Sequence, residues 1–117
     1  MKLIVAIIRP ERLEAVQKAL NEHDVYLMTV SDVRGCGRQR GYTEVYRGTE
    51  FQVRLLPKLK LEIAVNDAFV EAAVESIVHA ARTPETGQVG DGKIFVLPMD
   101  DCIRIRTGER GRDAIGP

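Results

Sequence analysis

The segment Thr86–Phe95, TGQVGDGKIF, sets three glycines and a lysine within ten residues. Glycine lets backbone N–H groups approach an anion closely, and Lys93 adds a cation, so the chemistry on offer is phosphate binding. Gly87, Gly92 and Lys93 reproduce P-loop spacing up to its last position, where Ile94 replaces the Ser or Thr that would meet magnesium. A P-loop also leads from a strand into a helix, whereas this segment runs from a helical pattern into a strand pattern. It is no Walker motif, and by itself it fits an ordinary turn as well as an anion site.

Two further cationic groups bear on that choice. In IRIRTG, Arg104 and Arg106 are two apart, a spacing that puts both guanidiniums on one face of a strand and Ile103 and Ile105 on the other, toward a core. Fork-shaped donors held together suit a polyphosphate, and no acid alternates with them to relieve their repulsion. The stretch from Arg34 to Arg54 carries five arginines against two acids, Glu44 and Glu50. Its GCGRQRG lacks the glycine spacing of a dinucleotide fold. A polar loop of this length in a compact domain is usually functional or disordered, and taking several shapes and docking into a partner would fit it. Lys58, just past Pro57, lies where the loop returns and can pair with a carboxylate.

Catalytic chemistry has little to stand on. His23 and His79 fall near the ends of two helical patterns with no serine or cysteine nucleophile beside them, so both read as surface or cap residues. No enzyme is predicted. With 17 basic and 17 acidic residues the net charge is zero, which removes a global electrostatic case for nucleic acid or an anionic membrane. Cys36 and Cys102 are too few for a disulfide framework or a zinc site and read as reduced thiols. The opening MKLIVAIIRPER is apolar only from Leu3 to Ile8, too short for a signal or a membrane span. The expected location is the cytoplasm, with no insertion into a membrane.

The elements that must position these groups follow from hydrophobic periodicity. Leu3–Ile8 reads as a strand apolar on both faces. Pro10 suits a first helical turn, and Leu13, Val16 and Leu20 recur at helical spacing to about His23. Tyr26–Val33 is a β-branched second strand. From Leu55 to Val65, Leu59, Leu61, Ile63 and Val65 alternate with Lys58, Lys60 and Glu62, the mark of a half-buried strand. Asn66 and Asp67 are placed to cap a second helix with Val70, Val74, Ile77, Val78 and Ala81 on its apolar stripe. A strand at Lys93–Leu97, a last strand at Cys102–Arg106 and a loosely held tail from Gly108 complete the chain. The order β-α-β-β-α-β is the ferredoxin-like α+β arrangement, one domain over residues 1–117. Two helices cover only one sheet face, so a first strand apolar on both faces predicts a homo-oligomer.

Taken in order, RP at Arg9–Pro10, GRQRGYTEVYRG, LLPKLKLEI, TGQVGDGKIFV and IRIRTGE resemble the PII signal-transduction family of nitrogen-regulatory proteins. The resemblance covers Met1 to about Glu109. It implies a homotrimer with nucleotide sites in the clefts between subunits, a T-loop at about 36–54 between the second and third strands, a B-loop at about 83–93 and a C-terminal tail at about 108–117. By motif match, Thr29, Gly35, Gly37, Arg38, Gln39, Glu62, Ala64, Gly90, Asp91, Gly92, Lys93, Arg104 and Arg106 would surround ATP or ADP, with Thr29, Glu62 and Ala64 at the adenine end. Gln39 would ligate magnesium, and Gln39, Arg40, Gly41, Lys58 and Gly90 would hold 2-oxoglutarate, Lys58 at its distal carboxylate. Tyr42, Thr43, Glu44, Tyr46, Arg47, Gly48, Thr49 and Phe51 would form the arm that meets partner proteins, among which the family counts ammonium channels and metabolic enzymes.

Departures from the family pattern matter as well. The uridylylated branch carries a tyrosine where this chain has Phe51 in YRGTEF, and a phenyl ring offers no hydroxyl for UMP. Thr49 matches a position phosphorylated as serine in some relatives. The turn ARTPETG is about three residues longer than usual, and Gln88 stands where many members have lysine. Three other readings compete: a PII-like sensor of another small carboxylate or bicarbonate, against which Gln39 and Lys58 argue, a small phosphate-handling hydrolase of the same fold, for which no positioned base is apparent, and an RNA-binding module of the same strand order. The last needs clustered aromatics on its central strands, and the chain's three tyrosines and three phenylalanines form no such cluster.

Overall fold

The computed structural model describes residues 1–36, 45–46, 50–51 and 55–116. In chain order the elements are β1 (Lys2–Ile8), a 3-10 turn (Pro10–Arg12), α1 (Leu13–Asn21), β2 (Thr29–Gly35), β3 (Val45–Tyr46), β4 (Glu50–Phe51), β5 (Leu56–Val65), a second 3-10 turn (Asp67–Phe69), α2 (Val70–Ala81), β6 (Gly92–Pro98) and α3 (Arg112–Ile115). Four strands form one sheet in the order β2-β5-β1-β6, all neighbours antiparallel. Among the described residues, strands β3 and β4 pair with each other, Val45 opposite Phe51 and Tyr46 opposite Glu50. With that arm set aside, the architecture is the ferredoxin-like βαββαβ sandwich.

Alternation in β1 and β5 decides which face is core. The register sets Ile4 opposite Ile63, Ala6 opposite Leu61 and Ile8 opposite Leu59. These six side chains are buried together with Val16 and Leu20 of α1 and Ala73 and Ile77 of α2. Full burial of each large aliphatic side chain is worth about 1.5–3 kcal/mol, so this layer holds helices and sheet together. The intervening residues Leu3, Val5 and Ile7 point to the other face, beside Phe95 at 48% and Leu97 at 43% exposure. No described residue of the chain covers that apolar face.

Several boundaries differ from expectation for local reasons. Helix α1 ends at Asn21, because His23 N–H and Asp24 N–H turn back to Leu20 and Asn21 carbonyls and Asp24 takes a positive φ of 63°. The second strand begins at Thr29, opposite Glu62, where its ladder with β5 starts; Tyr26 and Leu27 before it are exposed. Asn66 precedes the second 3-10 turn but makes no side-chain cap. Its amide donates instead to the carbonyls of Arg112 and Gly116, while Asp67 accepts from the N-terminal ammonium.

The largest correction concerns Cys102–Arg106, which is not a strand of the sheet. Gly108 N–H returns to Arg104 O at 2.7 Å and Arg104 N–H to Glu109 O at 2.9 Å, so the chain reverses there and keeps only an isolated bridge from Ile103 to Arg110. Gly108, with φ of 74°, permits the reversal. Ile103 is 51% and Ile105 100% exposed, so neither faces a core in this chain. The segment from Gly108 is also tied down: Ile115 of α3 is buried, and Asn66 holds Gly116 O at 2.7 Å.

Candidate functional site

At the end of the sheet where the 36–54 segment departs and returns, a cleft of about 540 Å3 opens on the helix-free side. It collects Gly35 from β2, Lys58 from β5, Gly90 from the turn after α2, and Gly92 and Lys93 from β6. Five residues singled out in sequence therefore share one cavity, although three separate chain segments supply them. Arg34, Cys36 and Val89 also line it and were not singled out.

The turn from Arg82 to Asp91 owes its shape to one carboxylate. Asp91 Oδ1 accepts from Arg9 Nε at 3.0 Å and from Thr83 Oγ1 at 2.5 Å. Its Oδ2 accepts the backbone N–H groups of Thr83 at 2.9 Å and Gln88 at 2.8 Å. Burial pushes the Asp91 carboxyl upward, but these hydrogen bonds from Thr83, Gln88 and Arg9 outweigh it and hold the group well below the usual carboxylate range. Arg9 also donates to Val89 O at 3.0 Å, clamping the turn to the end of β1. Both oxygens of Asp91 are thus engaged inside the chain, so its part in the site is to position the turn. Arg9 entered the sequence reading only as part of the RP motif, without a role, because its partner Asp91 is remote in the chain.

Lys58 reaches across the cleft floor and donates to Gly90 O at 2.5 Å. Partial burial pushes its ammonium downward, as does the positive charge of Arg9, while Glu11 and Asp91 act the other way. A partly desolvated cation at the floor of a cleft is chemically suited to a carboxylate. Gly92 is required for a steric reason: a Cβ there would lie 1.7 Å from Ile7 O, and its φ is 109°. Only glycine lets β6 close against β1 at the point where Lys93 enters the cleft.

Other expected residues lie along the same face or elsewhere. Thr29 stands opposite Glu62 in the β2–β5 ladder, and Ala64 follows two positions on, opposite Leu3. Register parity puts all three on the helix-free face with Lys58 and Lys93, extending away from the cleft. Arg104 and Arg106 are not brought to it. Met99 N–H bonds to Met1 O, so the chain beyond β6 lies at the Lys2 end of β1, a ladder length of roughly 20 Å from the Ile8–Gly92 end. There Arg104 pairs with Glu109 at 2.7 Å and donates to the carbonyls of Asp113 and Ala114. Gly37, Arg38, Gln39, Arg40, Gly41, Tyr42, Thr43, Glu44, Arg47, Gly48 and Thr49 lie outside the described residues, as do the side chains of Tyr46 and Phe51. Among the described residues no group of three His, Cys, Asp or Glu side chains gathers for a metal, and no helix is long and apolar enough to cross a membrane.

Comparison with known proteins bears on the same segments. The family model described as "Nitrogen regulatory protein P-II" matches residues 1–109. The nitrogen regulatory protein P-II 2 of Methanothermobacter thermautotrophicus is 55% identical over 115 residues, covering 98% of this chain and 97% of its own. A nitrogen regulatory protein P-II of Rhodospirillum rubrum is 53% identical, covering 98% of this chain and all of its own length. The nitrogen regulatory protein GlnK1 of Methanosarcina mazei is 52% identical, covering 98% and 97%.

Proposed function

Since the chain belongs to the nitrogen regulatory protein P-II family and so acts in nitrogen-regulation signalling, we propose that it senses ATP or ADP together with 2-oxoglutarate and reports them through the shape of the 36–54 segment. The observation that carries this reading is the cleft at the root of that segment, where Lys58, Lys93, Gly90 and Gly92 converge. A volume of about 540 Å3 lies within the roughly 300–1,000 Å3 span of small-molecule sites. Lys93 and the open backbone of Gly90 and Gly92 suit phosphate oxygens, and Lys58 suits the distal carboxylate of the oxoacid.

Arg104 and Arg106 stand too far from this cleft to serve it within one chain. A site completed by the arginines of a second copy, across the uncovered apolar sheet face, accounts for both their distance and that exposure. A homotrimer with three such sites is the assembly proposed. Thr29, Glu62 and Ala64, on the same face, then line the adenine end. Gln39 would hold magnesium, and the ion would supply a positive centre shared by phosphates and oxoacid.

The chain's own part in signalling is a linkage. Lys58 gives up Gly90 O for a ligand carboxylate, the turn clamped by Asp91 holds its backbone toward the nucleotide, and the 36–54 segment is biased toward one shape. Target proteins of nitrogen metabolism, such as an ammonium channel or a metabolic enzyme, would read that shape through the arm around β3 and β4. No catalytic step is assigned, and Phe51 carries no hydroxyl for UMP. Titration calorimetry of 2-oxoglutarate with MgATP, with MgADP and without nucleotide tests the proposal. Binding with MgATP should exceed the other two by at least about tenfold, or 1.4 kcal/mol. Equal binding in all three overturns the linkage.

A further inference from the structure

A second cavity, of about 620 Å3, lies on the opposite side of β6 from the cleft, between that strand, α2 and the Arg82–Asp91 turn. Its floor is aliphatic: Ile8, Val74, Ile77, Val78, Ala81 and Ile94. Its rim is cationic through Arg82, which has no ion-pair partner among the described residues, whereas Lys93 borders it with a side chain that register turns to the helix-free face. The one lining acid, Asp91, is already paired with Arg9 and saturated by Thr83 and Gln88. An apolar floor under an uncompensated positive rim is complementary to a molecule with an apolar chain and a single negative head.

We propose that this helix-side cavity is a second ligand site, taking a small aliphatic carboxylate with its chain on the α2 floor and its head at Arg82. Four residues, Ile7, Val89, Gly92 and Lys93, line both cavities, so the two sites share a wall.

The probe is hexanoate, titrated into the full chain while the assigned methyl signals of Ile77, Val78 and Ile94 are followed by NMR. Saturable shifts at those methyls are expected, with affinity rising roughly tenfold from butanoate to hexanoate, since each buried methylene contributes about three- to fourfold. Hexanol and the Arg82→Gln variant should each bind at least about tenfold more weakly, having lost a charged hydrogen bond. Val78→Phe, which fills the floor, should abolish binding while leaving the cleft intact. Absence of saturable shifts, equal response to hexanol, or shifts confined to the cleft at Val33 and Gly35 overturns the site.

Discussion

Arg9 and Asp91, separated by 82 positions, meet as an ion pair with Nε and Oδ1 3.0 Å apart. That contact joins the end of the first strand to the last residue before the sixth. It sets the turn from which Gly90 offers its carbonyl to Lys58 and from which Lys93 enters the cleft. The site's geometry therefore depends on a pair that is not itself placed to touch a ligand.

Removing the Asp91 carboxylate should cost fold stability as well as ligand affinity. Asp91→Ala abandons a charged pair and three further hydrogen bonds in a partly buried setting, for a loss of about 2–3 kcal/mol after solvent competes for the freed donors. The check is the urea midpoint at fixed protein concentration, with an unchanged slope. A midpoint within error of the parent would show that the turn holds its shape without Asp91.

The same carboxylate predicts an acid limb. Its folded pKa lies below the ordinary aspartate value near 4, so its contribution is complete above about pH 4 and drains away as the pH falls toward the folded value. Between about pH 4.5 and pH 3 the parent should lose stability more steeply than Asp91→Asn, the two curves converging with acidity. Parallel curves would assign the acid limb to other carboxylates.

Lys58→Ala should weaken 2-oxoglutarate by at least about tenfold while changing ATP affinity less than threefold, because a charged hydrogen bond is worth roughly 1.5–3 kcal/mol. Calorimetry of each ligand separates the outcomes. Equal losses would mean that the bond from Lys58 to Gly90 O holds the cleft together, and that the lysine is structural.

Two glycines at the cleft should respond in opposite ways to alanine. At Gly92 a methyl would overlap Ile7 O at 1.7 Å, so Gly92→Ala should cost about 3 kcal/mol or more or displace the β1–β6 register. At Gly35 the nearest atom is Lys58 Cγ at 3.5 Å, an ordinary contact, and Gly35→Ala should change stability by less than about 1 kcal/mol. Thermal melts of the two variants side by side check the contrast. Similar melting points would contradict the packing described at Ile7.

How much of this was legible in the sequence depended on whether the cause was local. Lys58–Val65 alternates because one of its faces is core and the other is not, and that pattern is written in adjacent residues. Gly92 and Lys93 were marked by a glycine-rich turn whose spacing comes close to a P-loop. Cys102–Arg106 alternates just as clearly, yet period-two spacing says nothing about whether a neighbouring strand is available, and within this chain it closes on itself through Gly108. Arg34 and Cys36 join the cleft because Gly35 does, which a strand register reveals and a residue type does not. The Asp91 cluster draws partners from 3, 8 and 82 positions away, and only folding brings the last of them near.

Consecutive residues Asn66 and Asp67 hold the two ends of the chain, one through Gly116 O and the other through the ammonium of Met1. A linker of about four residues would span ends fastened so close together. The fold is thus suited to circular permutation, with new termini opened in the 36–54 segment at the far end of the sheet. A permutant of that kind would carry a fluorophore on the segment proposed to report ligand state, turning a regulatory scaffold into an optical metabolite gauge.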